Sequence, residues 1–138
     1  KYHAGYDPAV FQAKAETAKT LWENEHWGLF LQTSRSDPAV PYYLLGVDPT
    51  GRRVTNAGYD LCENPPEWTV EVRRTADSWD AVCVIPFAAF NITRAFSPRI
   101  QFLHQAQKAL DKSEWASWKG LGVHNVSAFI ACALEGME

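Results

Sequence analysis

The residues of this chain best suited to recognition chemistry are its six tryptophans. An indole offers a flat apolar face and one N–H, which suits stacking on a flat ligand that also carries polar groups. Three of the six, Trp27, Trp68 and Trp79, fall inside apolar runs and need only a core to explain them. The other three, Trp22, Trp115 and Trp118, fall at strand ends or in loops, where an aromatic ring is free to meet a ligand. Nucleophilic and acid–base chemistry have weaker support. Asp60, Glu63, Glu67, Asp80, Asp111 and Glu114 are scattered, and no two share a predicted strand face beside a base. Glycoside hydrolysis would need two carboxyls roughly 5 to 9 Å apart across the bond. No Ser-His-Asp or Cys-His arrangement shows a local signature.

The three cysteines, Cys62, Cys83 and Cys132, match no CxxC spacing for zinc or redox work. Cys83 and Cys132 lie in apolar runs and read as small buried hydrophobes. A Cys62–Cys83 disulfide is the alternative and would leave Cys132 over. Two sequons, at Asn91 and Asn125, are short enough to arise by chance.

These side chains must be positioned by a chain of 138 residues with 46% hydrophobic content. That is one domain, long enough to bury a core without staples. Net charge is −3, from 13 basic and 16 acidic residues, and no basic cluster is present to hold nucleic acid. No apolar run approaches the roughly 18 residues of a membrane span. The first residues carry no apolar signal core, so the chain reads as one module of a larger protein.

The elements are mostly strands. Asp7-Pro8 opens a short helix, with Asp as cap and Pro at the first helical position. Residues 27–32 and 42–47 are apolar strands. Asp48 to Gly51 has turn chemistry, and residues 52–56 return as a hairpin partner. Over residues 67–73, Trp68, Val70 and Val72 face one way and Thr69, Glu71 and Arg73 the other, the period of a half-buried strand. Thr75 to Ser78 is a turn. Residues 79–85 are apolar on both faces, as a central strand would be, and Pro86 ends them. Residues 87–90 form one helical turn, residues 99–107 a strand with Gln105 and Gln107 on one face, and residues 126–134 the last strand. The class is all-β: an antiparallel β-sandwich of jelly-roll or Ig-like form, with short helical turns.

Two segments in order carry a resemblance. The first is LWENEHWGLFLQT at residues 21–33, followed by YYLLGVDPTGRR. The second is SWDAVCVIPFAAF at residues 78–90, followed after a strand by EWASW. Together they resemble the family 9 carbohydrate-binding modules of the DOMON-like β-sandwich group. The matching features are Trp22 with Glu25, the aromatic strand and turn from Tyr43 to Gly51, the Ile-Pro-Phe turn within residues 81–90, and Ser117-Trp118. The resemblance spans residues 20–134. Residues 1–20 match little of the family and read as a lead-in or the remnant of first strands, leaving residues 21–138 as the module.

The resemblance implies non-catalytic carbohydrate binding, with polysaccharide or oligosaccharide as partner, in an accessory module of a larger exported, extracellular or periplasmic, sugar-processing protein. Trp22 and Trp118 match the two tryptophans that sandwich a sugar in the family. Trp115 lies three residues before Trp118 and could extend that surface. Two departures stand out. Gly28 replaces an acidic residue and Gly46 an arginine, which removes hydrogen-bond partners worth about 1.5–3 kcal/mol each. Gln105, Gln107 and Glu25 are then the candidates to orient the ligand. Alternatively, the glycines mark an interaction or scaffold domain that has lost the sugar. A haem-binding relative of the DOMON-like group is a third reading, with His26 and His104 as an iron-ligating pair. Structural calcium is common in the family, but no calcium-loop spacing appears, so no ligands are assigned.

Overall fold

The computed structural model describes residues 1–33, 42–92, 98–117 and 129–131. In chain order the elements are β1 (Tyr2–Gly5), α1 (Pro8–Ala15), a 3₁₀ turn (Leu21–Glu23), β2 (His26–Gln32), β3 (Tyr43–Val47), β4 (Arg53–Ala57) and β5 (Asp60–Leu61). Then come β6 (Thr69–Arg74), β7 (Ser78–Val84), β8 (Arg99–Ala109), β9 (Lys112–Ser117) and β10 (Ile130–Ala131). Among the described residues all the strand pairs are antiparallel.

Two sheets result. The smaller has the order β1-β7-β6. The larger runs β10-β8-β2-β3-β4-β5, with β9 also paired to β8. They close on a shared core of Trp27, Leu29, Leu31, Leu45 and Val47 from the large sheet and Trp79 and Ala81 from the small one, joined by Trp68. The fold is therefore an all-β, sandwich-like pair of antiparallel sheets. Trp27, Trp68 and Trp79 are all buried, and each contributes about 3 kcal/mol of apolar burial at this scale. Trp68 also needs its N–H satisfied, and it donates to Thr55 Oγ1 at 2.8 Å.

The turns form where the local chemistry dictates. Asp48 Oδ1 accepts from the backbone N–H groups of Thr50 (2.9 Å) and Arg52 (3.2 Å). Gly51 follows at φ 85°, a conformation that favours a residue without Cβ. Asp7 caps α1 by accepting from the backbone N–H of Ala9 at 2.9 Å. The 3₁₀ turn is held by a capping box between Thr20 and Glu23.

Residues 1–20 do more than lead in. Residues 2–5 form an edge strand of the small sheet, and Tyr2 stacks on Trp27 at 5.4 Å between ring centroids. β7 is the central strand of the small sheet, but only one face is buried: Val82 and Val84 are exposed on the other. No helix among the described residues is long and apolar enough to cross a membrane. Cys62 and Cys83 are free thiols, and burial pushes the Cys83 thiol up to about 11. Cys132 lies outside the described residues.

Candidate functional site

β2 is buried along its whole length, on both faces. Its inner residues, Trp27, Leu29 and Leu31, meet the small sheet. Its outer residues alternate with them, and there Phe30 joins a second apolar cluster with Tyr42, Leu44, Leu103 and Phe129, against which Trp22 packs. The outer face of the large sheet is thus not a solvated polar face. It is a covered face on which the apolar cluster lies among buried amides.

The position of Trp22 follows from the two glycines. Gly28 and Gly46 are direct partners across β2 and β3. Together they leave a bare patch of backbone, and the indole lies over it. A Cβ on Gly46 would stand 2.3 Å from Trp22 Cη2 and 2.6 Å from Cζ3; one on Gly28 would stand 3.8 Å from Cζ3. The glycines that read in sequence as lost charged partners are the seat of the ring.

Beside Trp22 a half-open cleft of about 190 Å³ is lined by Trp22, His26, Phe30, Leu44, Asn56, Tyr59, Leu103 and Trp115. Trp115 stands on β9 opposite Gln105, and the Gln105–His26 pairing carries that register on to β2. Trp115 is 58% exposed and Tyr59 75% exposed, so two aromatic rings of the lining meet solvent. His26 lies between the indoles. Its ring centroid is 5.1 Å from that of Trp22 and 6.1 Å from that of Trp115, nearly perpendicular to both. Burial, opposed in part by the bond to the Asn24 backbone and reinforced by the nearby His104, pushes the His26 imidazole down to about 4.

The structure places the expected site residues as follows. Trp22 and Trp115 line one cleft. Trp118 lies outside the described residues. Gln105 and Gln107 do share the outer face, but both are buried and bonded within the protein. Gln105 Nε2 donates to Gln107 Oε1 (3.4 Å), and Gln107 Nε2 donates to the carbonyl of Ala109 (2.7 Å). Glu25 is 1% exposed. Its Oε2 is hydrogen-bonded to His104 Nε2 and its Oε1 accepts from the Gln107 backbone N–H at 3.3 Å. None of Glu25, Gln105 and Gln107 lines the cleft.

His26 and His104 occupy opposite faces of the large sheet, since His104 pairs with the inward Trp27 and His26 with the outward Gln105. Each has a ring nitrogen committed, to Asn24 and to Glu25. They do not form a ligand pair for iron. Among the described residues no group of three or more His, Cys, Asp or Glu is arranged to hold a metal ion.

Asn56 and Tyr59, which also line the cleft, are not singled out in the sequence, and His26 is named there only as an iron ligand. For Tyr59 a signal existed: an aromatic beside Gly58 in a turn, the same cue that marked the loop tryptophans. For Asn56 and His26 there was none, because each depends on which face of its strand turns away from the small sheet.

A second cavity of about 290 Å³ opens where the sheets part, lined by Lys1, Tyr2, Trp27, Phe102, Leu103, His104, Ala116 and Ser117. It is more apolar, and Trp27 is already stacked between Tyr2 and Phe102. No family of known proteins, no curated protein and no solved structure matches the chain.

Proposed function

We propose that this chain binds carbohydrate, without catalysis, in the aromatic cleft on the outer face of the large sheet. The observation that carries the reading is the exposed indole of Trp115, which shares one half-open cleft with the exposed ring of Tyr59 and the seated indole of Trp22. A sugar ring presents a face of C–H groups and a rim of hydroxyls. Aromatic planes take the face, and a few polar groups take the rim. Asn56 can both donate and accept there, and His26 adds an imidazole. The order of the sequence motifs, which resembles the family 9 carbohydrate-binding modules, supports the same reading. It also supports a role as an accessory module of an exported sugar-processing protein.

The ligand contacts in this proposal are Trp22, Trp115, Tyr59, Asn56 and His26. Gln107 acts one step back by tying down the β8–β9 turn, while Glu25 braces His104 on the opposite face of the large sheet.

The test is intrinsic tryptophan fluorescence against a panel of neutral mono- and oligosaccharides, repeated on Trp115→Ala. Because Trp115 is exposed, its loss should change stability by no more than about 0.5 kcal/mol. Any sugar-induced shift should fall at least tenfold in apparent affinity. If no glycan shifts the emission of the unaltered chain, carbohydrate binding is wrong and the interaction-domain reading stands in its place. If Trp115→Ala binds as well as the parent, the cleft is not the site.

A further inference from the structure

The carbohydrate reading leaves open how the cleft would tell one ligand from another. His26 supplies an answer. Its Nδ1 lies 2.8 Å from the backbone carbonyl of Asn24. A carbonyl only accepts, so Nδ1 carries the proton, and in the neutral ring Nε2 is a bare lone pair. The residue is fully buried. Nε2 has no hydrogen-bond partner among the described residues. Neither neighbouring indole donates to it; both meet the imidazole at right angles, at 88° for Trp22 and 85° for Trp115. Burial keeps the ring neutral near pH 7, so it offers an acceptor and nothing else.

A buried acceptor without a donor is a fault that native structures rarely keep. Here it lines a cleft, beside one packed indole and one exposed indole. Trp22 is held down on Gly46, while Trp115 is exposed and has room to turn as a ligand enters. The cleft volume of about 190 Å³ is below the roughly 300 Å³ at which pockets for drug-sized ligands begin. It suits one ring.

Resting on the carbohydrate reading, we propose that His26 Nε2 accepts a hydrogen bond from one ligand hydroxyl. The cleft would then select sugars with a free O–H at the position that reaches between Trp22 and Trp115. Ligands with a hydrogen, an O-alkyl group or a carboxylate there would be rejected. The first two cannot donate. The third would set a negative charge against a lone pair.

The experiment uses the full chain with glucose, galactose, mannose, xylose and N-acetylglucosamine as first probes, read by indole fluorescence. The monodeoxy and mono-O-methyl derivatives of whichever sugar binds are then titrated. One position should lose about tenfold in affinity on the native chain, the scale of one hydrogen bond to a buried acceptor. In His26→Phe, which keeps an aromatic ring between the indoles, that derivative should bind as well as its parent sugar. A measurement needing no variant runs beside it: the ¹⁵N resonance of His26 Nε2 should move when the parent sugar binds and stay when the deoxy derivative is added. If a sugar binds but every derivative binds equally and the resonance is still, the His26 assignment is overturned while carbohydrate binding stands. If none of these sugars binds, the carbohydrate reading fails and takes this proposal with it.

Discussion

Gly46→Ala would test whether the glycine pair is a seat for Trp22. The new Cβ would lie 2.3 Å from Trp22 Cη2, 2.6 Å from Cζ3 and 3.1 Å from Leu21 Cδ2. Ordinary carbon contacts sit at about 3.5–4.0 Å. The ring edge must therefore retreat by more than about 1 Å, and a rigid indole cannot bend one end away. We expect a loss of about 1–3 kcal/mol, the usual cost of forcing a methyl into packed space. Gly28→Ala is the internal control. Its Cβ would meet only Leu44 Cδ1 closely, at 3.3 Å, and that is the end of a side chain that can turn. Replacing glycine in a strand is otherwise favourable by about 0.5–1 kcal/mol, so Gly28→Ala should come out near neutral. Both variants are measured by urea unfolding. Gly46→Ala is then repeated in a Trp22→Ala background. With the ring gone the penalty should vanish, giving a coupling of about 1–3 kcal/mol. Equal stabilities for the two glycine variants, or an undiminished penalty without Trp22, would refute the account of the seat.

Three further expectations follow from the same geometry. Thr55→Val should destabilise by about 1–3 kcal/mol in urea unfolding, because it leaves the buried Trp68 N–H without its acceptor. The His26 pKa is lowered in the fold to about 4 from an ordinary value of 6.5. The unfolded chain therefore takes up the proton first, and stability should fall as pH drops from about 6.5 through 4. Subtracting the unfolding profile of His26→Phe from that of the parent isolates this loss, since the nearby Glu25–His104 pair is common to both. Cys83 should react far more slowly with a thiol reagent at pH 8 than Cys62 does. Burial holds its thiolate back, and a reaction as fast as that of Cys62 would contradict the burial.

Much of the fold is legible in the sequence, and the reasons are local. Residues 69–74 alternate, so their inward set of Val70 and Val72 could be read off directly. Asp48 and Gly51 mark a turn through side-chain and backbone preferences that hold in any context. What escaped was set by distant partners. β1 is only four residues long and becomes a strand because β7 offers an edge to pair with. β9 reads Lys-Ser-Glu-Trp-Ala-Ser, a mostly exposed sequence with little apolar pattern, and it is ordered by pairing with β8. The candidate site follows the same division. Trp22 and Trp115 could be picked out as aromatics near strand ends. That Glu25 and Gln107 lie outside the cleft could not, because both are engaged by residues up to 82 positions away.

The burial of β2 on both faces bears on how the strand finds its register. In an ordinary half-exposed strand, a slip of one residue would throw the hydrophobic set into water, and the slip is rejected on that ground. β2 is covered on both faces, so a slip of one residue exposes little, but it would turn His26 and Gln32 toward the core in place of Trp27, Leu29 and Leu31. The glycine beneath Trp22 adds a second constraint. The Trp22 ring lies so close over Gly46 that a Cβ there would stand 2.3 Å from it. The glycine that seats the indole thus acts during folding as a keyway, favouring the alignment that sets it beneath the ring.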